Sequence, residues 1–324
     1  MTKKKKIILG TILALVLVAG GVAIYTTASV PEDKQLAANP FNQDPHSSTG
    51  FGTDSARVDS QITLKIPEGQ AQAVYDYLRK TYVESNDLLN KNFPKLHLSG
   101  EQRTDISNFT DDYFDTSNLN LYANNNSARH RIRINTTDPT DPKSGRELVQ
   151  IKVTPPGDFT TRTEIKFDTQ APKKSASPAN RYYSLVSFVA DKQKNDFETA
   201  FSDIGLNSNK LRYILTNEQQ RSRVYLDWDG ENFLSFSVDD GRSHILWAKA
   251  RITSVDLGLV ENVYTAADES KRKTLGEIRN LVLQDLQNHF PELTQTTQEK
   301  YGILLDQLTA KIRWIKWLVK WKII

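Results

Sequence analysis

No cysteine occurs anywhere in the chain, which excludes disulfides, zinc–thiolate sites and thiol nucleophiles and leaves no residue for the acyl group of a lipoprotein. Histidine is almost as scarce. The five present, His46, His97, His130, His244 and His289, show no metal-ligand spacing, and His130 falls on the apolar side of its segment. No glycine loop of the phosphate-cradling kind and no Gly-x-Ser-x-Gly nucleophile turn occurs. Asp111-Asp112 and the pair Asp227 and Asp229 read as turn residues rather than acid–base pairs. There is no internal repeat.

Acids are missing from both ends. Lys3 to Lys6 and, in the last fourteen residues, Lys311, Arg313, Lys316, Lys320 and Lys322 carry nine cations without a carboxylate. The whole chain has 42 basic and 39 acidic residues and a formal net charge of +3. With the nine end cations set aside, 33 basic residues face 39 acidic ones, so the middle stands near about −6. Bulk charge therefore gives no case for nucleic-acid binding, and any anion site must come from local patterning. At 38% apolar and 25% charged residues over 324 positions, a sizeable core is affordable.

Lys3 to Lys6 precede an uncharged run from Ile7 to Tyr25. A helix of that length spans roughly 28 Å, close to the hydrocarbon thickness of a bilayer. Flanking lysines keep the first end in the cytoplasm, so residues 1–28 read as a single-pass anchor with the rest outside. A signal peptide cleaved near Thr26-Thr27-Ala28 is the alternative. Residues 29–56, rich in Asn, Ser, Pro, Gly and Asp, read as a flexible linker. Residues 57–310 form the globular domain. The tail, 311–324, holds three of the five tryptophans at helical spacing among its cations. It suits either an interfacial amphipathic helix on a membrane or a terminal helix packed on its own domain.

Within the domain, period-two alternation marks strands at Ser60–Ile66, from Tyr113 onward, at Leu211–Thr216, Gln220–Trp228, Asn232–Asp239 and Arg251–Val260. Asp229-Gly230 and Asp240-Gly241 read as hairpin turns. Helical spacing marks Gln70–Tyr82, Arg181–Ala190, Asp196–Ile204, Lys273–Phe290 and Gln298–Leu308. Many antiparallel strands with a few helices give an α+β fold, closed or nearly closed because its polar face is so long.

That polar face is the organising feature. Between Tyr113 and Lys166, Arg129, Arg131 and Arg133 share one side of a strand, Lys152 lies in phase with Gln150, and Arg162, Glu164 and Lys166 line a third. The same phasing adds Lys65, Arg221 and Arg223. The acids in phase are Glu164, Asp239 and Asp256, with Asp59 beside them. An ordinary solvated strand face is the plain alternative. If the face points inward, its guanidinium forks match phosphate oxygens, and the carboxylates either brace the cations or hold Mg²⁺ or Mn²⁺.

The order of motifs resembles a known family. Tyr-Phe-Asp-Thr at Tyr113–Thr116, Arg-Ile-Arg at Arg131–Arg133, Ile151-Lys152, Arg-Thr-Glu at Arg162–Glu164, Arg-Ser-Arg at Arg221–Arg223 and Val-Asp-Asp-Gly at Val238–Gly241 are similar to the CYTH domain of the triphosphate tunnel metalloenzymes, over roughly residues 58–308. The polyphosphate polymerase domain shares the tunnel and a similar Tyr-Phe-Asp-Thr strand. The resemblance implies an antiparallel eight-stranded β-tunnel with peripheral helices, a divalent metal and a triphosphate-containing ligand. The family's first strand carries Glu-x-Glu-x-Lys; here the frame reads Gln61-Ile62-Thr63-Leu64-Lys65, so both carboxylates are gone. A late Glu-Ile-Glu is reduced to Asp256 within Ser254–Gly258. A two-metal mechanism does not fit these losses. Three readings follow: a membrane-tethered domain holding a phosphate-rich small molecule or polyanion with little or no catalysis; an active metal-dependent triphosphatase using Glu164, Asp239 and Asp256; and a scaffold whose tunnel is plugged by its own ion pairs.

Overall fold

The alternating segments fold as strands and the segments of three-and-four spacing as helices, in a computed structural model that describes residues 56–135, 144–155, 161–170 and 184–320. In chain order the elements are β1 (Ala56–Lys65), α1 (Ala71–Arg79), α2 (Asp87–Asn92), β2 (Leu98–Asp115), α3 (Asn120–Ala123), β3 (Ser127–Asn135), β4 (Glu147–Val153), β5 (Thr161–Asp168), α4 (Lys194–Asp203), β6 (Arg212–Trp228), β7 (Glu231–Ile245), β8 (Ala248–Leu259), α5 (Glu261–Ala266), α6 (Glu269–His289), β9 (Thr294–Thr296), α7 (Lys300–Lys311) and α8 (Ile315–Lys320). This is α+β, a large antiparallel sheet with peripheral helices. The expected anchor at Ile7–Tyr25 and the linker up to residue 55 lie outside the described residues. Among the described residues no helix is long and apolar enough to cross a membrane.

The strands run in the order β5-β4-β3-β2-β6-β7-β8-β1-β9. β1 is shared. Its first half, Ala56 to Ser60, pairs with Thr161 to Ile165 of β5, and its second half, Gln61 to Lys65, pairs with Ser254 to Gly258 of β8.

The apolar phase of each strand faces the helices. Leu275, Ile278, Val282 and Leu286 of α6 and Val74 and Leu78 of α1 pack against Ile62, Leu64, Phe236 and Leu257. α6 starts where the Asp268 carboxylate accepts from the Lys271 N–H at 2.7 Å, a cap worth about 1 kcal/mol. A second cluster sets Tyr301, Leu304 and Leu308 of α7 and Ile315 and Val319 of α8 against Ile214, Ala250 and Ile252. A third covers β3 to β5 with Phe197 and Phe201 of α4. α8 thus buries Ile315, Leu318 and Val319 on its own domain and leaves Trp317 outward.

Three local expectations fail for identifiable reasons. Asp240-Gly241 is not a turn but lies inside β7. Gly241 is small because a Cβ there would stand 2.6 Å from Asn217 Oδ1 across the ladder, while Asp240 faces out to Arg251 at 2.9 and 2.8 Å. Asp111-Asp112 lies in β2, and Asp227 lies within the last two residues of β6, leaving Asp229 in the turn with a φ of 52°. The helix expected over Arg181–Ala190 is, in its described part, a short 3-10 turn at Leu185–Phe188. There Val189 bridges to Thr169, and Leu185 and Val189 are drawn into the third cluster.

Candidate functional site

The opposite, polar phase of the strands surrounds a cavity of about 280 Å³. Arg129, Arg131 and Arg133 reach it from β3, Lys152 from β4, Arg162, Glu164 and Lys166 from β5, Arg221 and Arg223 from β6, and Asp256 from β8. Eight of the nine expected cations are therefore brought together. Lys65 is the exception; it is exposed and does not line the cavity. Asp59 has no described side chain. Sequence reasoning missed Arg146, Phe109, Asp105, Asp111, Glu299 and Lys300.

Asp111 is wholly buried opposite Arg131, whose fork grips it at 2.5 and 2.7 Å, with Arg129 at 3.3 Å. Burial would raise this carboxyl, yet Arg129 and Arg131 outweigh it and hold it below the usual range. Arg131 is itself pulled below its ordinary value by burial and by Arg129 beside it. The ring of Phe109 lies under three guanidinium groups, 4.4 Å from Arg131, 5.9 Å from Arg133 and 5.4 Å from Arg221, so its π-face supplies the cushion that water would. Asp105 accepts from Arg133 at 3.1 Å, Arg223 at 3.4 Å and the Tyr225 hydroxyl at 3.2 Å.

On the β5 side, Glu164 stands 3.5 Å from Lys166. Burial pushes its carboxyl up, but Lys152, Lys166, Arg129 and Arg131 together hold it down at about 2. Arg162 binds Glu299 at 2.6 Å and the Thr297 carbonyl at 2.9 Å, and its buried Nε has no hydrogen-bond partner among the described residues.

The expected metal trio does not assemble. Among the described residues no three His, Asp or Glu side chains group closely enough for a metal ion, because Glu164 sits on β5 with the lysines while Asp239 and Asp256 converge elsewhere. Those two acids meet the ammonium of Lys300, the first residue of α7. It donates to Asp239 and, at 2.7 Å, to Asp256. Arg221 forks Asp239 at 2.6 and 2.6 Å, and the Thr63 hydroxyl donates to Asp256 at 2.8 Å. Burial opposes ionisation of Asp239, but Arg221 and Lys300 overcome it and drive its carboxyl far below the usual range. Asp239 and Asp256, already holding these cations, do not present the open oxygens that Mg²⁺ or Mn²⁺ needs.

The Tyr-Phe-Asp-Thr strand has a supporting part. The Tyr113 hydroxyl accepts from Arg129 at 3.1 Å and its ring stacks on Tyr301 at 5.2 Å. Asp115 accepts the N–H groups of Thr116, Leu121 and Tyr122 and the hydroxyl of Tyr301. It thereby ties the end of β2 to α3 and α7.

No family model matches the chain, and no curated protein does. Solved structures are similar to it. A Hippeastrum protein described as an adenylyl cyclase with a dominant triphosphatase activity is 13% identical over 77% of this chain and 95% of its own, with a TM-score of 0.42. A Bacillus halodurans protein assigned as an adenylate cyclase is 11% identical over 76% and 96%, at 0.41. The Mimivirus capping-enzyme triphosphatase is 10% identical over 72% and 90%, at 0.34. These structural neighbours are described as adenylyl or adenylate cyclases and triphosphatases, all at low identity. At that distance the chemistry has to be read from this chain's own residues.

Proposed function

We propose that this chain binds a phosphate-rich anion of the triphosphate or polyphosphate type in the cationic cavity, outside the cytoplasm, with catalysis reduced or absent. One observation carries the reading. Among the described residues ten cations line the cavity, and the carboxylates that line or back it are six: Asp105, Asp111, Glu164, Asp239, Asp256 and Glu299. Counted over these described groups, positive charge exceeds negative by about four. A triphosphate chain near neutral pH carries about four to five negative charges.

Arg223, braced from behind by Asp105, lines the cavity beside Arg133 and Arg162, and guanidinium groups on three strands there suit phosphate oxygens. Arginine suits this role because it stays charged when buried and binds phosphate oxygens two at a time. The double pairing of β1, with β5 and with β8, supports reading strands β1 to β8 as a closed tunnel around the ligand. The same surplus argues against a scaffold that neutralises itself. Lys3–Lys6 and the apolar run Ile7–Tyr25 support reading the domain as membrane-anchored and outside the cytoplasm.

The test is calorimetric titration of the purified protein with tripolyphosphate at low ionic strength, with EDTA present. Saturable binding that weakens as salt is added supports the proposal; absence of binding at low salt overturns it.

A further inference from the structure

We propose that Lys300 is a built-in substitute for a divalent cation, and that it makes anion binding by this chain independent of metal. The idea deepens the anion-binding reading and rests on it for the ligand, but its core concerns Lys300, Asp239 and Asp256 alone.

A metal in a phosphate site does two things: it neutralises the carboxylates that hold it, and it presents positive charge to the phosphate. Lys300 is placed for both. Its ammonium has three donors. Two are taken by Asp239 and Asp256, which come from neighbouring strands β7 and β8, and the residue also lines the cavity, leaving the third for an anion. The side chain is held there from its base. Glu299 is fixed by Arg162 at 2.6 Å, and its N–H donates to Asn125 Oδ1 at 2.7 Å, so α7 begins at the cavity wall. A divalent ion reaching the acid pair would have to expel a buried ammonium and turn Arg221 away from Asp239. The two functions of a metal also separate here. An ammonium can bind phosphate, but it neither carries a second charge to stabilise a phosphoryl transition state nor activates a bound water. Affinity without hydrolysis is the consequence.

The test uses the full-length chain and two readouts. Wild type is expected to show no stoichiometric Mn²⁺ binding by electron paramagnetic resonance and no rise in melting temperature with Mn²⁺ beyond an ionic-strength control. Lys300→Met releases Asp256 and removes one of the two cations on Asp239, leaving only Arg221 to be turned aside, so Mn²⁺ is expected to bind with one equivalent and raise its melting temperature. Without metal this variant should bind tripolyphosphate about tenfold or more weakly, a loss that Mn²⁺ restores. Since Lys300→Met leaves buried carboxylates exposed to one another, a double variant, Asp256→Asn with Lys300→Met, keeps the charge balance. It is expected to fold and to ignore Mn²⁺. Tight Mn²⁺ binding by wild type, or a folded Lys300→Met that gains no Mn²⁺ response, overturns the inference. Failure of tripolyphosphate to bind wild type instead overturns the anion-binding reading, and the Mn²⁺ readouts still decide the role of Lys300.

A separate observation concerns the surface. We infer that the β7–β8 turn and α8 together form a docking face for an anionic lipid surface. Leu246 and Trp247 are 52% and 68% exposed at the tip of that hairpin, and Leu246 sits at a φ of 55°, which a bulky residue rarely adopts. The Trp247 ring meets Trp314 edge-on at 5.9 Å, and Trp317, one helical turn further, is 36% exposed. Around them Lys249, Arg313, Lys316 and Lys320 are exposed, and the sequence from Ala310 to Lys320 contains no acid. Tryptophan with lysine is the combination that the headgroup region favours, and the unbalanced positive charge selects an anionic surface. With the full chain in vesicles of brominated anionic lipid, tryptophan fluorescence should be quenched, less so in zwitterionic vesicles, and the effect should fall in Trp247→Ser with Trp317→Ser. Equal quenching in the variant, or a face that instead drives self-association in detergent, contradicts the assignment.

Discussion

Replacing Glu164 by Gln separates stability from binding at this site. The carboxylate stands among Lys152, Lys166, Arg129 and Arg131, which hold it at about 2 against a usual value of 4.5. A depression of that size corresponds to about 3 kcal/mol of folding stability from this group. The sign follows from the direction. A carboxyl depressed in the folded state contributes fully above its unfolded value and loses that contribution as pH falls from about 4.5 toward about 2. Glu164→Gln should therefore unfold at lower urea at pH 7, by about 3 kcal/mol, and the gap to wild type should narrow below pH 4.5 and close at about pH 2. Binding moves the other way. The substitution leaves one more uncompensated cation, so tripolyphosphate should bind more tightly at low salt. Paired urea titrations at the two pH values and one calorimetric titration decide the matter. Unchanged stability would refute the electrostatic reasoning, and weaker binding would mean that Glu164 serves the ligand, as a metal carboxylate would.

Asp115 should behave oppositely to Glu164: burial raises its carboxyl to about 6 despite its backbone donors, so its stabilising contribution is present below about pH 4 and falls as pH rises through 6, by about 3 kcal/mol. Asp115→Asn should flatten that slope in thermal melts across this window. Arg131→Ala should cost about 3–5 kcal/mol, because Asp111 is left buried with Arg129 at 3.3 Å as its nearest remaining cation; it should also weaken tripolyphosphate binding. Gly241→Ala should destabilise by about 1–3 kcal/mol in denaturant titration, since its Cβ meets Asn217 Oδ1.

The cavity was largely legible in the sequence because strand phase is a local property. Arg129, Arg131 and Arg133 alternate with His130 and Ile132, and the pleat carries that alternation into space. Asp111 was missed although a signal exists, since Asp105, Ser107, Phe109, Asp111 and Tyr113 keep one phase along β2; the aspartate pair resembles a turn only when the strand is taken to begin at Tyr113. Gly241 misled for the same reason, as a glycine chosen for a cross-strand approach looks like one chosen for a turn. Lys65 has the right phase yet stays exposed, because phase fixes the face and not the position along the strand. Lys300 carried no signal. It opens α7, 44 residues after Asp256, and only the docking of α7 across β8 delivers its ammonium to two carboxylates on neighbouring strands.

The most direct test of the central claim is tripolyphosphate titration of the purified wild-type protein in EDTA at two ionic strengths. A single saturable site at low salt, unchanged by EDTA and weakened at high salt, is the predicted result. No binding at low salt, or binding that appears only when Mn²⁺ is supplied, would contradict it.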